Sequence, residues 1–171
     1  MLLPTHIERA RAYDADSNMR YLGMSAITLP SFESNTVTLE GMGLAGSVDK
    51  PVRGSYSSTK VSSTFRGLSS DVFNMLNGVK TIDWRASQNV FDTGLNVNKS
   101  VQIRVVATGE ISTFDLGDGD IPGTMSVKAD MECYTLKVWV DKKLELHIDK
   151  YNDITKIGGN SIVDDIIDNI S

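Results

Sequence analysis

The chain has 171 residues, 40% apolar and 23% charged, the balance of one soluble globular domain with a sizeable core. A formal net charge of −5 and scattered Lys and Arg residues exclude phosphate binding as the main task, since nucleic-acid binders carry a basic face. The one cysteine, Cys133, excludes an intramolecular disulfide framework, and no apolar run reaches the roughly eighteen residues of a membrane-spanning helix.

From the N-terminus, Met1-Leu2-Leu3 is apolar only as far as Pro4, too short for a signal-peptide core, so the chain is expected to stay in the cytoplasm where it is made. Residues 1–19 are polar and mixed, and the stretch from His6 to Tyr13 is compatible with a helical turn or with an arm that orders on assembly. Residues 21–29 read as a strand ended by Pro30, and residues 32–40 alternate, with Val37 and Leu39 on one face and Thr36 and Thr38 on the other. Gly41-Met42-Gly43-Leu44-Ala45-Gly46 follows, a glycine-rich loop running through Val48 to Pro51. Its apolar side chains suit contact with a partner better than free solvent.

Residues 52–66 have strand propensity, yet Ser57, Ser58, Thr59, Ser62, Ser63 and Thr64 make much of the surface small and polar. Such a strand fits a wet channel or a sheet edge. Residues 69–77 give the clearest helix: Ser69 or Ser70 caps it, Asp71 suits the first turn, Val72, Phe73 and Leu76 share one side, and Asn77-Gly78 ends it. Alternation resumes over 80–91 through Ile82, Trp84 and Ala86, and over 101–114 through Val101, Ile103 and Val105. A turn at 92–99 and an acidic loop from Asp115 to Gly123 separate these strands from their neighbours.

Over 124–140 the apolar positions are odd up to Cys133 and even from Leu136, and this phase slip predicts a β-bulge near Tyr134. Asp141-Lys142 then reads as a tight hairpin turn, and Leu144, Leu146 and Ile148 alternate on the return strand. Residues 161–170 have helical isoleucine spacing behind a serine cap. The sum is seven or eight strands and one clear internal helix: a mainly β, antiparallel sandwich or barrel, in one domain spanning 1–171.

Catalytic constellations do not emerge. His6 and His147 read as solvated surface histidines, and Trp84 and Trp139 as core aromatics. Asp115, Asp118 and Asp120 lack the spacing and the closing Glu of a calcium loop. Gly41, Gly43 and Gly46 form G-x-G-x-x-G, but a Ser/Thr-rich strand follows where a dinucleotide fold needs a helix. No metal or cofactor is expected, and no enzymatic activity. A carbohydrate- or protein-binding β-sandwich is the rival reading, although only Phe91 and Phe114 lie near the long loops.

Three stretches together resemble the major tail tube proteins of contractile-tail phages and related bacteriocin particles. They are Ile27-Thr28-Leu29-Pro30 leading to Gly41–Ser47; Asp71-Val72-Phe73-Asn74-Met75-Leu76; and Tyr134-Thr135-Leu136-Lys137 through Ile148-Asp149, Tyr151-Asn152 and Ile157-Gly158-Gly159. Lys142 departs from the glycine common in the family turn. The resemblance implies a fold like the type VI secretion tube subunit and hexameric rings that stack into a tube. It implies a surrounding sheath, with baseplate and tail terminator proteins as further partners, and DNA in the lumen only if the particle is a phage. It also implies assembly in the bacterial host cytoplasm, release as a virion tail or tail-like particle, and no membrane insertion of the subunit. Under it, Met42, Gly43, Leu44, Ala45, Gly46, Val48 and Pro51 meet a neighbouring ring, and Ser57, Thr59, Ser62 and Thr64 face the lumen. Residues 1–19 would be an arm and 158–171 a C-terminal segment.

Overall fold

A computed structural model of the chain describes residues 1–41, 43, 45–119, 121, 123 and 125–170, with Met24 and Ser25 described by backbone alone. Its elements in chain order are β1 (Leu2–Asp14), β2 (Arg20–Tyr21), β3 (Met24–Thr28), β4 (Ser34–Leu39), β5 (Val48–Tyr56), β6 (Lys60–Arg66), α1 (Ser70–Met75), β7 (Val79–Asp92), β8 (Val97–Asp115), β9 (Ser126–Val140), β10 (Lys143–Asp149), β11 (Ile154–Ile157), β12 (Asn160–Ser161) and α2 (Asp164–Asp168). The fold is mainly β and antiparallel, as the alternation predicts.

The main sheet runs β12-β11-β10-β9-β8-β7-β1-β2, and β9 branches. Its first half pairs with β6, which pairs with β3, while its second half pairs with β10. Among the described residues β2 and β12 do not pair, so no closed barrel forms. One core joins both halves of β9. It takes Val61 and Phe65 from β6, Val127, Ala129 and Met131 from early β9, and Ile82, Trp84, Val105, Ala107 and Leu136 from the β7–β8–late β9 side. The two halves therefore face each other across that core, and their outer surfaces look away from one another.

The slip foreseen in the apolar pattern is a bulge. Thr108 pairs with Thr135 and Gly109 with Cys133, which leaves Tyr134 as the extra residue. The bulge brings the β9 backbone so close that a Cβ on Gly109 would lie 1.8 Å from the Glu132 carbonyl oxygen. Gly109→Val therefore forces the β8–β9 ladder apart at its bend. We expect a loss of about 3 kcal/mol in urea unfolding. Gly119→Ala, with nothing among the described residues within 4 Å of its Cβ position, should stay within about 0.5 kcal/mol of the parent.

Asp141 and Lys142 both take positive φ, 49° and 66°, the left-handed pair of a type I′ turn whose twist matches the strands it joins. α1 is capped by Ser69, whose side chain accepts from the Val72 N–H. Its buried residues are Val72 and Met75, while Phe73 is exposed, because 3.6-residue spacing places 72, 75 and 76 over the core.

Four expectations about the elements and their bounds are corrected as well. Residues 2–14 form a long strand in place of a helical turn, since pairing with β7 along its length overrides the local preference of Glu8, Ala10 and Ala12 for helix. Residues 52–66 are two strands, with Ser57–Thr59 as the corner. The loop at 41–51 ends at Ser47, because Val48–Pro51 belong to β5 and pair with β4. The C-terminal helix starts at Asp164 behind Val163, and Ser161 bonds the Asp164 side chain in place of a backbone N–H.

Candidate assembly interface

Among the described residues β4 and β5 pair only with each other, apart from the main sheet. Cross-strand partners share a face, so the pairs Val37↔Lys50 and Leu39↔Val48 put three apolar side chains, Val37, Leu39 and Val48, on one side together with Lys50. All three apolar side chains are exposed, Val37 and Val48 at 52% each. The opposite face carries Thr36 with Pro51, and Thr38 donating to Asp49 at 2.7 Å. The result is an amphipathic hairpin whose apolar face the described residues leave uncovered. Of the residues expected at a neighbouring ring, Gly43, Ala45 and Gly46 lie in the turn, Val48 on the apolar face and Pro51 on the polar one. Met42 and Leu44 lie outside the described residues.

β6 alternates sharply. Val61, Ser63 and Phe65 point into the core, and Ser62 and Thr64 share the outer face with Lys60. Asp130 and Glu132 of β9 stand beside them: Ser62 donates to Asp130 at 2.5 Å, and Lys60 pairs with Glu132 at 3.3 Å. Ser58 also bonds Glu132. The corner residues divide. Ser57 donates to Asn35 at the surface, whereas Thr59 is buried, its hydroxyl 3.4 Å from the Cys133 carbonyl. Thr59 therefore has no surface to offer a lumen. Its place in a run of small polar residues hid the fact that it turns the chain into β6.

On the other half of the sheet, the register aligns Arg11 of β1, Arg85 of β7, Arg104 of β8 and Trp139 of β9 in one row across the outer face. Asp83, fully buried, lies between two of the arginines. Arg85 donates to it through Nε at 3.2 Å and Nη2 at 2.7 Å, and Arg104 through the same two atoms at 3.0 and 2.8 Å. Arg85 lies over the Tyr13 ring at 5.2 Å and Arg104 over Trp139 at 5.0 Å. Burial pushes the Asp83 carboxyl up, but the hydrogen bonds from Arg104 and Arg85 outweigh it and hold the group below its usual value. Trp139 is thus a platform on the outer face, while Trp84 is core.

His147 follows Lys137 in the next row. It is half-buried with Nε2 unbonded, not the solvated histidine its alternation suggests, and burial and then Lys137 lower its pKa. Burial raises the Cys133 thiol to about 11, which makes it inert. Among the described residues no three His, Cys, Asp or Glu side chains gather to hold a metal ion.

A projecting amphipathic hairpin, open strand edges and two polar sheet faces are the features of a structural protein that works through contacts. The chain matches the family model of phage tail tube protein FII over residues 4–170, and it belongs to that family. Its fold is similar to that of the sheath/tube terminator of an extracellular contractile injection system in the extended state. The identity is 10% and the TM-score 0.54, over 80% of this chain and 96% of that one, a likeness of fold alone. No curated protein matches it. Its role is that of a structural component of the tail.

Proposed function

We propose that the chain is the repeating subunit of the inner tube of a contractile phage tail or tail-like particle. Copies form hexameric rings, and the rings stack. The observation that supports this best is the β4–β5 hairpin, whose exposed apolar face stands clear of the main sheet and suits a neighbouring ring. β3, bonded among the described residues to β6 alone, offers an edge for a neighbour within the ring. The outer face of β6 and early β9, with Ser62, Thr64 and the balanced pairs around Asp130 and Glu132, suits a water-filled lumen. A sheath outside, and baseplate and terminator proteins at the ends, complete the particle. DNA passes only where that particle is a phage. Assembly takes place in the bacterial host cytoplasm, before release as a virion tail or tail-like particle.

The similarity to a terminator supports a second reading, a cap that closes a tube without extending it. Negative-stain microscopy of the concentrated protein separates the two. Hollow cylinders of uniform width and variable length are expected for a tube subunit, and single rings for a cap. Strictly monomeric protein at high concentration would refute both.

A further inference from the structure

The arginine row is more built than a surface ion pair requires. Asp83 binds Arg85 and Arg104 through their Nε and Nη2 atoms, which locks both guanidinium planes and leaves both Nη1 groups without a hydrogen bond among the described residues. Arg11, beside Arg85 in the same row, forms no ion pair at all among them. Lys142 sits at the end of the row, with Arg85, Gln102, Arg104 and Trp139 around one cleft of about 280 Å³. One buried carboxylate, Asp83, thus stands against three arginines and a lysine, with the carboxylate of Asp141 next to Lys142 in the turn. Glu8, on the same strand as Arg11, is occupied by Ser87, Asn89 and Ser100. Fixed guanidinium forks with free edges and flanking aromatic rings suit carboxylates presented by a protein.

We propose that this row is a docking site for an acidic segment of a protein laid along the outside of the tube. This rests on the tube reading above. The core lies between the two halves of the sheet, so if the Ser62–Thr64 face lines the lumen, the arginine face looks outward. A nucleic acid is the less suitable occupant, since the whole chain carries −5 and would repel a polyanion beyond the row itself.

The test uses the full-length chain and a glutamate decamer, titrated calorimetrically at low and at moderate salt. Trp139 fluorescence is followed in parallel. Wild type should bind the decamer in a salt-sensitive manner, and the double variant Arg11→Glu with Lys142→Glu should bind about tenfold or more weakly. Both substituted side chains leave the Asp83 cluster intact, so the variant should keep its fold, checked by circular dichroism. Equal affinity of wild type and variant overturns the proposal. So does tighter binding of duplex DNA of matched charge, which would assign the row to nucleic acid. Low-salt self-association lost in the variant would overturn it too, in favour of a second copy. Because the titration needs no tubes, microscopy of the same samples shows separately whether the tube reading fails.

Discussion

Aspartate in place of both Met42 and Leu44 is expected to abolish tube growth while leaving the monomer folded. In sequence the two residues fall between β4 and β5, which among the described residues pair only with each other and already expose Val37, Leu39, Val48 and Val52. Burying a side chain of that size against a neighbour contributes about 1.5–3 kcal/mol, so losing two raises the critical concentration for growth by roughly 10²- to 10⁴-fold. Placing two carboxylates in a dry contact adds to that. The fold has little at stake, because the hairpin stands off the core. The melting temperature should move by only about 2 °C or less. Val48→Asp, on the same apolar face, should act in the same direction, and Thr36→Asp, on the polar face, should leave growth unchanged. Sedimentation and negative-stain microscopy read both. Normal tubes from the double variant would remove the hairpin from the interface.

The parts of this architecture that depend on near neighbours were legible in the chain. The bulge at Tyr134 showed as a change of apolar parity between Cys133 and Leu136, because a strand that inserts one residue must exchange its faces to keep its core side inward. The Ser69 cap and the Asp141-Lys142 turn were visible for the same reason. β1 was not. Ile7-Glu8-Arg9-Ala10-Arg11-Ala12 has good helix formers, β1 bulges twice, and its partner lies roughly seventy to ninety residues on, so no local pattern announces the strand. Thr59 misled through its company: a run of Ser and Thr looks uniformly wet until the corner that turns one of them inward is known.

The arginine row was hidden by distance in sequence. Arg11 stands between Ala10 and Ala12, Arg85 between Trp84 and Ala86, and Arg104 between Ile103 and Val105, each a charge on the outward side of an alternating strand. Only the registers Arg11↔Arg85 and Arg85↔Arg104 bring them abreast. Sequence shows three separate solvated charges, whereas the sheet makes one cationic row with a buried carboxylate beneath it. The same registers explain how a chain with a negative total charge has a basic face on one half and a balanced polar face on the other.

Asp83→Asn is expected to be among the most damaging single polar substitutions in the chain. The carboxylate is fully buried, while the two arginines are each 40% exposed, so water compensates part of what they lose. Breaking a buried pair costs about 3–5 kcal/mol, and with that compensation the lower end, about 3 kcal/mol, applies. In a chain of this length that is a fall of roughly 6–12 °C in melting temperature. The pH dependence separates charge from shape. The folded carboxyl titrates below its ordinary 3.8, so its contribution is complete above that value and is lost as the pH falls through the depressed folded value. Wild type and Asp83→Asn should therefore differ by the full amount at pH 7 and at pH 5, and converge below pH 3.8. Urea unfolding across that range measures it. A gap that stays constant down to the lowest pH would mean that the asparagine costs packing alone, and that Asp83 does not hold the arginines through its charge.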